Sequence, residues 1–361
     1  MNISLHRPQS DKCFDCEMFQ NEANKVKEAK NVLSLQQICQ MVVHQSKAKQ
    51  ANSSYKLDAE KESQLNTKIF SMDLEKSLLI PIIPDVKDCF FTNRLVVFNL
   101  TFASLKKKDP TTPAKCIVWH EATSGRDAKN IVDAVYKLLL SERDIKHFIF
   151  WADNCSSQNK NWFIFTALVT IVNCLEIDSI TMKYLTKGHT HMTADGVHGN
   201  IENNIKKQKY IYDFEDFKNC VRTSRKDTIV IEVTKEDILD WNKKKRNVRQ
   251  KDENDSLRCF LLKDVVEVKF LRGERTLLYK KQFVEEYKVL DFLQKKYSVH
   301  ELPTNNPPTT SRGIKTVKKH EIISKLVPLM PTNRKQFWIN LPENSNSLDL
   351  IDQGEVFSTE T

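Results

Sequence analysis

Three aspartates, a helical glutamate and a scatter of cysteines and histidines are the residues whose types and spacing could do chemistry. Asp73 lies within a largely apolar stretch, residues 68–81. Asp153 closes the apolar run 147–152 and opens the polar string Asp153-Asn154-Cys155-Ser156-Ser157-Gln158-Asn159-Lys160-Asn161. A charge that closes an apolar strand must find compensation. Asp195, His198 and Glu202 stand at i, i+3 and i+7, so one helical face can present all three to a single point. Two hard cations about 4 Å apart need several carboxylate oxygens, and they activate a water while stabilising the leaving 3′ oxygen of a phosphodiester. Asp73, Asp153 and Glu202 are therefore expected to hold Mg2+ or Mn2+. Asp195 is a near-equal third ligand; Glu202 is preferred because Asp195-Gly196 can instead cap the helix. Glu121 is a candidate fourth carboxylate.

The side chains around these carboxylates have plainer roles as well. Asn154, Gln158 and Asn159 read as loop hydrogen-bonders that hold the turn at Asp153. His189, His191 and His198 can bind zinc or a scissile phosphate, or be structural. Near the N-terminus, Cys13-x-x-Cys16 is half of a tetrahedral zinc site, and Cys39 and His44 are the nearest candidates for the other half. The plainer alternative is two cysteines packed as small hydrophobes. Lys206, Lys207 and Lys209, and Lys243, Lys244, Lys245 and Arg246, are basic clusters that can lie along phosphates or act in nuclear import. Solvated helix ends give similar runs.

These residues need elements to position them. Residues 68–81, 95–103 and 115–121 read as strands. Residues 125–140 follow as a helix, with apolar Ile131, Val132, Val135, Leu138 and Leu139 on one face. Next come the strand ending at Asp153, a helix over 162–175, a strand over 179–186 and a helix opening near Ala194. The order β-β-β-α-β-α-β-α predicts an α/β fold with a mixed five-stranded sheet, the element order of the ribonuclease H-like fold. In such a sheet the first and fourth strands are neighbours, so Asp73 and Asp153 converge. Residues 1–66 read as a Cys-x-x-Cys segment with a helical extension, 67–210 as the core and 211–301 as an accessory α+β region. Residues 302–310 read as a linker, 311–341 as a small helical module and 342–361 as a disordered tail.

Four segments carry a resemblance: 70–76 around Asp73, Trp119-His120-Glu121-Ala122-Thr123-Ser124-Gly125, the string 153–161, and 188–202. Together with the start Pro8, Asp11, Cys13 and Cys16, and the late module from Arg312 to Trp338, they resemble a family of transposon-derived proteins abundant in insects and other invertebrates. Members are known chiefly as a domain of unknown function. The resemblance covers roughly residues 5–345, and its most specific part is the Asp-x-Cys-x-x-Gln-Asn-x-Asn string. It implies a catalytic core similar to that of DDE transposases. A competing nuclease reading rests on Asp73-x-Glu75, the first motif of exonucleases with four acidic residues. Their last motif wants His five residues before Asp, whereas the spacing here is four, from His191 to Asp195 and from His198 to Glu202.

Composition sets the outer bounds. The 361 residues are 40% apolar and 29% charged, with a formal net charge of +9, which favours polyanion partners such as DNA. No run of roughly 18 apolar residues indicates a membrane span, and the N-terminus lacks a signal-peptide pattern. Nine irregularly spaced cysteines argue for a reducing nuclear or cytoplasmic setting rather than secretion. Assembly of copies is compatible with this reading. The function expected is an integrase- or transposase-like protein that cuts or transfers DNA phosphodiesters with Mg2+ or Mn2+. The alternative is a domesticated, catalytically silent DNA- or chromatin-binding protein on the same scaffold.

Overall fold

Apolar strands that alternate with amphipathic helices fold into a large mixed sheet with helices on both faces. The computed structural model describes residues 13–28, 33–61, 66–106, 112–241, 262, 264–303 and 312–344. Among them, ten strands form one mixed sheet. These are β1 (Thr67–Leu74), β2 (Leu78–Ile80), β3 (Leu95–Ser104), β4 (Ala114–His120), β5 (His147–Ala152), β6 (Ser179–Tyr184), β7 (Thr228–Glu232), β8 (Glu267–Leu271), β9 (Leu277–Lys280) and β10 (Lys288–Leu290). The helices that matter for the site are α1 (Phe14–Glu28), α2 (Leu35–Glu60), α3 (Lys87–Phe91), α4 (Ala128–Leu140), α5 (Trp162–Cys174), α6 (Thr193–Gln208) and α7 (Phe214–Arg222). No helix among the described residues is long and apolar enough to cross a membrane.

The strand order is β10-β9-β8-β6-β5-β1-β3-β4-β7, with β2 paired to β3. β1 runs antiparallel to β3, and β3 to β4, while β1, β5 and β6 are mutually parallel. The sheet is wider than the five strands expected. The region 211–301, read as an accessory unit, extends both edges: β7 pairs with β4, and β8 with β6. β4 is buried along its whole length, and an uncovered edge there would leave its ladder groups unpaired. The strand expected over 68–81 divides at residues 75–77 into β1 and β2, so Asp73 lies near the end of β1 rather than at a strand's middle.

Two main cores separate the layers. On one face α4 and α5 pack against Phe70, Met72, Phe150 and Met182. α5, apolar nearly all round, is buried from Ile164 to Val172. On the other face α6 and α7 pack against Val97, Cys116 and Val118. Ile314, Ile322, Leu326 and Trp338 of the 312–344 segment share that core. α2 covers the strands beside α6, with Ala51 and Tyr55 against Trp151, Leu185 and Met192. Alternation along β1 and β5 sends Phe70, Met72 and Ala152 to the α4–α5 core. Ser71 and Trp151 take the opposite face, and with them Asp73 and Asp153.

Candidate functional site

Register brings the first two carboxylates together. The last pair between the parallel strands β1 and β5 is Met72↔Ala152, so Asp73 and Asp153 follow it side by side. The third acid arrives from α6. Thr193 and Ala194, its first residues, are tied to β1: Ser71 Oγ lies 2.6 Å from Thr193 Oγ1 and accepts from Ala194 N–H at 3.1 Å. Asp195 Oδ2 accepts from the Met192 N–H at 2.7 Å. It thus caps the helix and still faces the strand ends. Asp73, Asp195 and His198 each offer a ligand atom, and these atoms lie within 4.8 Å of one another.

The electrostatics match this crowding. Asp73 is pushed up to about 8, by burial first and then by Asp153 and Asp195. Asp153 is also raised, by burial and by Asp195, although hydrogen bonds from Asn159 and the Cys155 amide oppose this. His198 Nδ1 stands 3.5 Å from Asp73 Oδ2. Burial nevertheless pushes His198 down to about 4, with Glu202 acting the other way. Because burial is the largest influence on both partners, the pair is neutral near pH 6 rather than an ion pair. His198 Nε2 is buried with no hydrogen-bond partner among the described residues.

The string after β5 braces Asp153. Asn159 Nδ2 donates to Asp153 Oδ1 at 2.6 Å, and the Cys155 N–H donates to the same oxygen at 3.2 Å. Asn154 Oδ1 accepts from Lys160 Nζ at 2.8 Å. Lys160 is buried over the Tyr184 ring and pushed down to about 8 by that burial, and Tyr184 donates to the Asn159 carbonyl at 2.9 Å. Gln158 is half-buried in the same turn. Lys160 was missed as a site residue, since a lysine in a polar string announces nothing about its burial.

Glu202 and Glu121 stand elsewhere. Glu202 pairs with Lys76 at 2.7 Å; seven residues along α6 carry it roughly 10 Å beyond Asp195. Glu121 accepts from the Val96 N–H at 2.7 Å and from Lys318, so it fastens the 312–344 segment to the sheet. Glu75, two residues beyond Asp73, is a buried carboxylate pushed up to about 7 by burial, with Asn99 Nδ2 donating to it at 2.9 Å.

A second cluster forms where α1 and α2 meet the segment before α6. Cys13 Sγ lies 3.3 Å from His44 Nε2, Cys16 Sγ 3.5 Å from His189 Nε2, and the two Nε2 atoms are 3.1 Å apart. All four ligand atoms lie within 4.8 Å of one another. Cys39, expected in this set, is exposed and outside it. Five residues along α2 turn it about 140° away from His44. His189 takes the fourth place, and its 173-residue separation from Cys16 left no local signal. Burial and then His44 and His191 hold His189 below the ordinary histidine range; His191 itself is exposed.

Lys206, Lys207 and Lys209 are exposed at the far end of α6 from Asp195, where cations suit the helix dipole. Lys243, Lys244, Lys245 and Arg246 lie outside the described residues. No curated protein and no solved structure matches the chain. Residues 118–270, which hold Asp153, His189, Asp195 and His198 but not Asp73 or the cysteine pair, match the model of a family described as a domain of unknown function, DUF7869.

Proposed function

We propose that the chain is a metal-dependent enzyme that hydrolyses or transfers DNA phosphodiesters on a ribonuclease H-like sheet, of the kind found in transposases. The observation that carries this reading is the pair Asp73 and Asp153, side by side at the ends of adjacent parallel strands, with Asp195 brought beside Asp73 and acting electrostatically on Asp153. Counted in chain order without the short β2, the strands β4-β3-β1-β5-β6 run 3-2-1-4-5, the order that fold uses. Hard carboxylate oxygens suit Mg2+ or Mn2+, and an acid pushed up to about 8 by burial first and then by its acidic neighbours sits where negative charge is disfavoured until such a cation relieves it. When bound, a divalent cation supplies Lewis-acid stabilisation of phosphoryl oxygens. Asp73, Asp153 and Asp195 would hold it. Asn159 fixes the carboxylate plane of Asp153, Ser71 fixes the start of α6, and buried His198 stays neutral. The net charge of +9 suits a nucleic-acid substrate, and a nuclear location belongs to the same proposal.

The test is cleavage of supercoiled plasmid by the full chain in Mg2+ and in Mn2+, beside the folded variants Asp73→Asn and Asp195→Asn. Cleavage that falls at least 100-fold in both variants supports the reading. Cleavage that survives Asp73→Asn, or a folded wild type that binds DNA and leaves it intact in both metals, overturns it; the latter outcome describes a silent DNA-binding protein.

A further inference from the structure

α1 has little to hold it in place by packing alone. None of the described side chains from Phe14 to Lys27 falls in the buried class, and Phe14 and Met18 are 74% and 45% exposed. α2 buries only Met41, Ala48, Ala51 and Asp58 along 26 residues. A helical hairpin with so small an apolar face needs another tie to stay on the sheet. Its inner end carries Cys13, Cys16 and His44, and these converge with His189 on the segment that leads from β6 into α6.

Three separations within that convergence match the edges of a tetrahedral zinc site. Zn–S bonds of ≈ 2.3 Å and Zn–N bonds of ≈ 2.0–2.1 Å give tetrahedral edges of roughly 3.3 Å between two nitrogens and roughly 3.6 Å between nitrogen and sulfur. The corresponding separations here are 3.1 Å for His44 to His189, 3.3 Å for Cys13 to His44 and 3.5 Å for Cys16 to His189. Two ordinary thiol–imidazole hydrogen bonds would not require the two imidazole nitrogens to meet as well. The backbone is shaped for the same approach. Gly188 has φ +78°, and a Cβ there would stand 2.7 Å from Cys13 Sγ, so only glycine lets this segment close over the thiol.

We infer that Cys13, Cys16, His44 and His189 bind one Zn2+ that latches the α1–α2 hairpin to the segment from which α6 starts. Two thiolates and two imidazoles favour zinc over the hard cations suited to the aspartates. Four protein ligands leave no open position, which makes the site structural. The latch has a neighbour: Tyr55 of α2 accepts from the Thr193 N–H at 3.2 Å, so the hairpin also touches the first turn of α6, which carries Asp195. The inference stands apart from the proposed enzyme activity, because its test reads metal and backbone protection rather than cleavage.

The experiment is metal analysis of the full chain after dialysis against a weak chelator, with cobalt substitution and amide hydrogen exchange. The inference expects one zinc per chain and, with Co2+, the ligand-field and thiolate charge-transfer bands of a tetrahedral S2N2 site. His189→Ala and Cys16→Ser should each lose the metal, and Cys39→Ser should keep it. Metal loss should raise exchange in residues 13–28, 35–47 and 185–195, while β1 and β5 stay protected. A wild type without zinc, zinc retained by both ligand variants, or metal loss that leaves exchange in those three segments unchanged would each overturn the inference.

Discussion

Replacing Asp73 by Asn should make the metal-free protein more stable, in a pH-dependent way. In the folded chain Asp73 titrates at about 8 against 3.8 for an ordinary aspartate, because it is buried beside Asp153 and Asp195. The folded state therefore keeps a proton that the unfolded chain has released between about pH 4 and pH 8, and stability falls as pH rises through that window. At face value this shift costs the fold about 4 kcal/mol at pH 7. The Asp73 side chain is 24% exposed, and the cluster shares its protons, so we expect a measured gain of about 2 kcal/mol. Asn keeps the shape and can still accept from the backbone. Little is lost at His198, which is neutral at pH 7. The assay is urea denaturation of both proteins in EDTA from pH 5 to pH 8. The gain should be small at pH 5 and largest at pH 8. Saturating Mn2+ should then reverse the order, since only the wild type gains binding free energy, about 2.7 kcal/mol at 100 times Kd. A variant less stable than wild type at pH 8 in EDTA, or a gain that does not change with pH, would refute the reasoning.

Three further substitutions probe the frame around the site. Asp58 is buried and accepts from Trp151 Nε1 at 2.9 Å and from Lys183 Nζ at 2.7 Å. Burial alone would raise it, but Lys183 and then Lys61 hold it below 3.8, so its contribution is present at neutral pH and is lost as pH falls below that value. Asp58→Ala should cost about 2–3 kcal/mol in urea denaturation at pH 7, because it leaves the buried Trp151 indole N–H unpaired and leaves the largely covered Lys183 with Glu267 at 4.0 Å as its remaining carboxylate; a cost under about 1 kcal/mol would contradict the pairing. Glu121→Gln should weaken the hold on residues 312–344, seen as faster proteolysis there, and leave any cleavage activity within about twofold; a larger drop would place Glu121 in the site. Gly188→Ala should lower zinc occupancy more than Gly199→Ala, whose added Cβ meets nothing within 4 Å; equal occupancy in the two would contradict the close approach to Cys13.

Much of this architecture could be read from pattern alone. The apolar runs at 95–104, 147–152 and 162–174 lack Gly and Pro, and each became the element its periodicity called for. The adjacency of Asp73 and Asp153 followed from strand order, because two parallel neighbours in register present equivalent positions at their ends. The choice between Asp195 and Glu202 did not follow. Both share one face of α6, and only the point where that helix meets Ser71 decides which acid reaches the strand ends. His189 was visible as a histidine but not as the partner of Cys16. The widened sheet was equally hidden, since added strands such as β7 and β8 join β4 and β6 through backbone groups that carry no residue signature.

The claim that Asp73, Asp153 and Asp195 form one cation site is tested most directly by anomalous diffraction from crystals of the full chain soaked in Mn2+. The account predicts a manganese peak within about 2.5 Å of carboxyl oxygens from Asp73 and Asp153, with Asp195 completing the set. Well-ordered crystals in which these carboxylates bind no manganese, or a peak held by Glu202 and not by Asp195, would contradict it.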